Sequence, residues 1–292
     1  MNATIAAGAV RTATPPSFGS NLATVAQREL REAVRSRWFV LYTLAFAVLG
    51  LGVSYVSAAG SGGSGLAGFG RTTAGLINLV LLIVPLMALT AGAASIASDR
   101  ERGMLAYLLA QPVSRIELLL GKYLGLAAAL FASLCVGFGV CAAVLSFKGE
   151  GTRVASLVWL IGLSMGLALS TLSVGVLLSV LARKASAAVG AAVFLWLTLV
   201  FVTDLGLMAG TVAMRLRVEQ LLALSLVNPL QVFKMWSLHA VDANLDVLGP
   251  AGLYASEEFG GRLHAIFGLC LALWSVVPLA VAAAVFSRRS PV

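Results

Sequence analysis

The chain has 292 residues, 60% hydrophobic and only 11% charged, with a net charge of +8 and a mean hydropathy of +0.97. Ordinary globular domains carry about 25% charged residues; too little polar surface remains here to cover a soluble body, so a polytopic membrane protein is expected. The positive charge does not point to nucleic acid, because Lys and Arg stand between apolar runs rather than along one amphipathic face.

A bilayer core takes about 20 predominantly apolar residues per helix. Six stretches qualify: 38–58, 74–97, 121–147, 154–182, 186–209 and 264–287. None alternates polar and apolar residues, which excludes a β-barrel. The expected fold class is all-α, with six transmembrane helices.

In chain order, residues 1–20 are a Thr/Ala/Pro tail expected to be disordered. Residues 21–37, NLATVAQRELREAVRSR, place Leu22, Val25, Ala26, Leu30, Ala33 and Val34 at helical spacing. Arg28, Arg31, Glu32 and Arg35 lie largely on the other side, so an amphipathic helix is expected in the inner membrane interface. The first span ends in VSAAG, which resembles a signal cleavage site. Its apolar core is longer than the about 7–15 residues of a signal peptide and follows 37 residues of tail, so it is read as a retained span. The segment 59–72, AGSGGSGLAGFGRT, reads as a flexible linker.

Between the second and third spans stands SDRERGMLAYLLAQPVSRIELLLGKYLG, residues 98–125. Residues 101–110 read as a short helix led by acidic side chains, which suit the positive end of its dipole. Gln111-Pro112 stops it. SRIE then reads as a capping box, with Ser114 capping the backbone and Glu117 reaching back, and the helix runs on into the third span. Arg100, Arg102, Arg115 and Lys122 surround the turn. The plain reading of 98–121 is a loop with topology-setting charges; the sharper one is a docking element through which a cytosolic partner tilts the span fused to it.

Further along, GLSMG at Gly162–Gly166 matches a nucleophile-elbow pattern, but Ser164 has no base nearby in sequence; the alternative is a small-residue face for helix packing. Cys135, Cys141 and Cys270 lie in apolar runs without CxxC spacing and read as small hydrophobes. Asp204, near the outer end of the fifth span, is a candidate functional acid or an interfacial cap. Pro85 and Pro278 fall inside the second and sixth spans and are expected to kink them.

The segment 210–263 is too long for a structureless loop. Two short helices hinged at Asn228-Pro229 are expected there, resting on the outer membrane face. Met208, Met214, Met235 and His239 gather loosely around it; thioether and imidazole suit copper, but their spacing fixes no geometry, and no bound metal is expected. Residues 288–292 form a short tail. With both termini in the cytoplasm, thirteen of the twenty Lys and Arg residues fall on the inner side, and four of the other seven lie in the one long outer loop.

The stretch from Asp99 to Gly125 resembles the signature of type-2 ABC transporter permeases: a Glu, a Gly-Thr/Ser pair, a Leu-rich turn, Pro-Val-Ser-Arg and Gly-Lys entering the third span. Glu101, Gly103, Leu105, Leu108, Leu109, Pro112, Val113, Ser114, Arg115, Gly121 and Lys122 match, and Met104 departs where Thr is usual. The six-span layout and amphipathic N-terminal helix fit as well. The resemblance implies a coupling helix contacting a separate ATPase subunit, with Arg100, Glu101, Gly103, Pro112, Ser114, Arg115, Glu117 and Lys122 as coupling residues.

A narrower resemblance, carried by KASAAVGAAVFLW, TDLGLMAG and LVNPLQVFKMWSL, is to the permeases of copper-processing ABC transporters that mature nitrous-oxide reductase; Gln231 departs where an acidic residue is usual. It implies a homodimer in the inner membrane that pairs with two ATPases and holds a periplasmic protein, with Asp204, Asn228 and Pro229 as candidates on the outer side. The same layout would serve an ABC exporter of drugs, ions or polysaccharides. A phosphate-cradling GxxxxGK[S/T] loop is absent, so the chain is not expected to be an enzyme, and ATP belongs to the partner subunit. A secondary transporter or channel would place ionisable residues near the bilayer midplane, and the six runs hold essentially none.

Overall fold

The structure, a computed structural model, describes residues 17–60, 66–147, 154–202, 205–206, 217–240 and 262–288. The expectations for 1–16, for linker residues 61–65, for Asp204, Met208 and Met214, and for 241–261 and 289–292 lie outside the described residues.

Among the described residues the chain is helical, without a strand. The helices are α1 (Phe18–Arg35), α2 (Arg37–Gly60), α3 (Leu66–Glu101), α4 (Met104–Leu109), α5 (Arg115–Phe147) and α6 (Val154–Leu181). They continue with α7 (Ala185–Leu197), a π-helical turn at Thr198–Val202, α8 (Val218–Val227), α9 (Pro229–Ala240) and α10 (Leu263–Arg288). Four stretches are long and apolar enough to cross a bilayer: Thr73–Glu101, Arg115–Ala143, Leu157–Leu181 and Leu263–Arg288. They coincide with four of the six expected spans. The first expected span is α2, bent 65° from α1 at Ser36; the fifth is the shorter apolar helix Ala185–Phe201.

The centre of the bundle is the crossing of α3 and α6. Lipid is as apolar as leucine, so helices in a membrane associate through close packing and hydrogen bonds rather than through hydrophobic burial. A methyl group on Gly92 would lie 2.8 Å from the Leu172 carbonyl oxygen, and one on Gly175 would lie 2.5 Å from that of Leu89. The two backbones therefore touch. One turn further on, the Ser179 hydroxyl accepts from the Ile96 and Ala97 amides at 2.9 and 2.8 Å. Thr43 with Ser133 at 2.7 Å joins α2 to α5, and Ser170 with Ser275 at 3.1 Å joins α6 to α10.

The apolar stripe of α1 packs on α5, leaving Val34 and the charged side outward; two helices that both offer an apolar face bury it against each other. Two expectations are corrected. The two helices hinged at Asn228 meet at 111°, but α9 does not rest on the surface. Pro229, Leu230, Val232, Phe233, Met235 and Leu238 are buried, and α9 packs on α6, α10 and α3. Gly162 and Gly166 do not form a tight packing face: nothing lies within 4 Å of a methyl group added at Gly162, and Gly166 would meet only Leu271 at 3.5 Å.

Candidate functional site

The coupling stretch is built by local stops and starts. Gly103 has φ 71°, a left-handed conformation that glycine adopts without strain, and it ends α3. Asp99 and Glu101 therefore close the long helix instead of opening the short one, which corrects the expected start of the coupling helix. The backbone turn at Gly103 sets that boundary. After α4, Ser114 and Glu117 form the reciprocal cap: the Ser114 amide donates to Glu117 Oε2 at 2.6 Å, and the Glu117 amide donates to Ser114 Oγ at 3.2 Å. Two donors at the start of α5 are thereby satisfied.

The charges around α4 turn inward. Arg100 Nη1 donates to the Val180 and Ala182 carbonyls at the end of α6, and Glu101 Oε2 accepts from the Ala185 amide at 2.9 Å. A cation thus meets the negative end of α6 and a carboxylate meets the positive end of α7. Arg115 Nη1 donates to the Phe286 and Ser287 carbonyls at the end of α10, at 3.4 and 3.2 Å. Asn21 Nδ2 donates to the Pro112 carbonyl at 3.0 Å and lies 3.4 Å from Glu117 Oε2, which pins the first turn of α1 to the loop. Expected as surface contacts, Arg100, Glu101, Arg115 and Glu117 are bound within the chain.

Lys122 departs furthest from expectation. It is 5% exposed, with Nζ 2.7 Å from Glu29 Oε2 on α1 and 2.8 Å from Asp99 Oδ2 on α3. Burial pushes the Glu29 carboxyl above its ordinary value, and Lys122 opposes that rise. The approach is made by GKYLG. A methyl group on Gly121 would lie 2.7 Å from Val25 Cβ, and one on Gly125 would lie 2.5 Å from the Ala26 carbonyl oxygen. Glu29 and Asp99 were not singled out from the sequence. The available signal was Glu29 sitting on the apolar stripe of α1, between Val25, Ala26 and Ala33.

With Arg100, Glu101, Arg115 and Glu117 bonded within the chain, the outward side of α4 itself is apolar and aromatic. Leu105 and Leu108 are buried under α4, whereas Tyr107 is 65% exposed and Met104 40%. Arg102, Gly103, Gln111 and Pro112 are exposed beside them. This is a short knob packed on α3, whose flanking residues are bonded to α1, α6, α7 and α10.

The outer-side candidates fare differently. Asn228 is 3% exposed: its amide donates to the Leu199 carbonyl inside the π-helical turn at 2.6 Å, and its Oδ1 accepts from the Leu230 amide at 2.9 Å. Pro229 is buried beside it. The pair anchors α9 to α7 and offers no surface to a partner. Near it, a cavity of about 150 Å³ is lined by Asn78 of α3, Leu199 and Val200 of the π turn, and Gln231 and Lys234 of α9. Ser164, buried within α6, donates to the Leu160 carbonyl at 2.6 Å, in mid-helix and not at a strand–helix elbow. Cys141 is buried, Cys270 partly so and Cys135 exposed, and none of the three forms a disulfide among the described residues.

Among the described residues the chain is an all-helical bundle with apolar helices of membrane-spanning length and a capped, buttressed knob beside them. The chain belongs to the ABC-2 transporter family, whose model matches residues 23–290. It is 32% identical over 271 residues to a probable ABC transporter permease protein NosY of Stutzerimonas stutzeri, covering 91% of this chain and 97% of the relative. It is 33% identical over 275 residues to the protein of the same name from Pseudomonas aeruginosa, covering 91% and 98%. Membership of this family makes it a membrane permease and implies ATPase partner subunits.

Proposed function

We propose that two copies of this permease, each with six spans and both termini in the cytoplasm, pair with two cytosolic ATPases and serve the maturation of the copper site of nitrous-oxide reductase. The six spans are α2, α3, α5, α6, α7 with its π turn, and α10. ATP-driven closure of the ATPases presses on α4 and on α1, and the spans rearrange between inward- and outward-facing states. The observation that supports this coupling is the fastening of Arg100, Glu101, Arg115, Glu117 and Lys122 onto α1, α3, α6, α7 and α10. A push on the knob therefore reaches the ends of α1, α3, α6, α7 and α10 together. The maturation role rests on the resemblance of the fifth-span and Asn-Pro segments and on the similarity to the two NosY proteins. A periplasmic protein on the far side is part of the same reading.

The coupling face is tested by replacing Met104 and Tyr107 with Asp and co-purifying the permease with the ATPase encoded beside it. Loss of the complex with an intact, monodisperse permease is expected; full retention of complex and coupled ATPase activity overturns the reading. The maturation role is tested in a Stutzerimonas stutzeri strain lacking its own NosY. Restored nitrous-oxide reduction is expected, and a membrane-inserted protein that restores none points to export of another cargo.

A further inference from the structure

The chain has two histidines. His239 lies in the last turn of α9 and His264 in the first turn of α10, yet their ring centroids are 4.8 Å apart with planes inclined at 58°. His239 is half-buried and His264 is exposed. Arg115 holds the opposite end of α10 at Phe286. The helical stretch from His264 to Phe286 measures about 33 Å, so the pair stands at the end of the bundle remote from α4.

The two rings are held by packing on both sides. Trp236, one turn before His239, meets His264 edge to face at 6.4 Å and Phe267 at the same separation. Gly268 lets it sit there: a methyl group on Gly268 would lie 3.3 Å from the Trp236 ring. Below, Leu222, Val232, Met235, Leu263, Phe267 and Leu271 form a buried apolar cluster joining α8, α9 and α10. The imidazoles are thus presented from two packed helices, which limits their rearrangement on binding.

We propose that His239 and His264 form a two-imidazole site for a borderline or soft transition-metal cation, of the Zn(II) or copper class. Metal–imidazole bonds of about 2.0–2.1 Å put a ring centroid about 3.2 Å from the metal, and two such rings at a near-tetrahedral angle are separated by about 5 Å. The observed 4.8 Å meets that requirement. Imidazole is a preferred ligand for these ions. Among the described residues no cluster of three or more His, Cys, Asp or Glu side chains occurs, so the site argued here is the imidazole pair itself. A site of this kind holds metal loosely and exchanges it, unlike the closed sites of structural zinc. The inference stands on the ring geometry and needs neither the coupling nor the maturation reading.

The test uses full-length permease in nanodiscs, purified through a tag without histidine. Zn(II) binding is measured by calorimetry, and Cu(II) binding by the nitrogen hyperfine pattern in electron paramagnetic resonance. About one metal per chain is expected at pH 7.5, with two coordinated nitrogens, and affinity should fall at least about tenfold in His239→Asn and in His264→Asn. Met235→Leu should bind as the native chain does. Thermal unfolding of each variant separates a lost ligand from a lost fold. Native affinity retained in both histidine variants, a spectrum without two nitrogens, or no uptake up to about 1 mM overturns the proposal.

Discussion

Lys122 Nζ lies 2.7 Å from Glu29 Oε2, joining the amphipathic first helix to the entry of α5. Asp99 takes the other side of the same ammonium at 2.8 Å, so one buried cation holds three helices. Removing it leaves two facing carboxylates in a site where all three side chains are at most 15% exposed. Lys122→Met should destabilise the permease by about 3–5 kcal/mol. Glu29→Gln leaves a neutral Lys122–Asp99 pair and should cost far less. Unfolding midpoints of the purified variants in detergent measure the asymmetry; equal losses in both would remove the shared-cation account.

The triad also makes stability depend on pH. Burial raises the Glu29 carboxyl above its ordinary 4.5, with Asp99 and Glu32 adding to the rise and Lys122 opposing it. A carboxyl with a raised folded pKa binds its proton more tightly folded than unfolded. Its contribution is fully present below 4.5 and is lost as pH rises through the folded value. Across that window the native chain should lose stability with rising pH, and Glu29→Gln should flatten the curve; unfolding midpoints from pH 4 to pH 8 read it directly.

Close approach of α1 to α5 depends on a missing side chain. Gly125→Ala puts a methyl group 2.5 Å from one α1 backbone atom and 3.1 Å from another, the Leu30 nitrogen, and cannot be absorbed by a rotamer change. A cost of about 1–3 kcal/mol is expected, with faster proteolysis of α1. Gly139→Ala has nothing within 4 Å and should be neutral or stabilising by about 0.5–1 kcal/mol. Limited proteolysis and unfolding of the pair decide the matter.

Asn228 serves both the π-helical turn and the start of α9. Asn228→Ala leaves the Leu199 carbonyl and the Leu230 amide without their side-chain partner in a buried place. A loss of about 2–4 kcal/mol is expected, with amide exchange rising first in α9. A variant of native stability would mean that α9 is held by its apolar contacts alone.

Ser164 is bonded to its own helix. Ser164→Ala should keep full activity and change stability by less than about 1 kcal/mol. Transport-coupled ATP hydrolysis of the reconstituted complex is the readout, and a large loss would reopen a nucleophilic role.

Features governed by neighbours in the chain were readable from the sequence alone. Apolar runs of span length, the break at Gln111-Pro112, and the Ser114–Glu117 cap all depend on residues within a few positions of one another, where helical periodicity and hydrogen-bond reach are decisive. The coupling stretch could therefore be found without any structure. Tertiary structure decided what its charges do. Lys122 meets Glu29 across 93 positions, and Arg115 meets Phe286 across 171. His239 and His264 meet where α9 and α10 pack, and no local pattern records such a meeting. The physical reason is desolvation: a charge or an imidazole in a mostly apolar bundle takes whichever partner the packing brings, and packing is a property of whole helices rather than of the residues beside it.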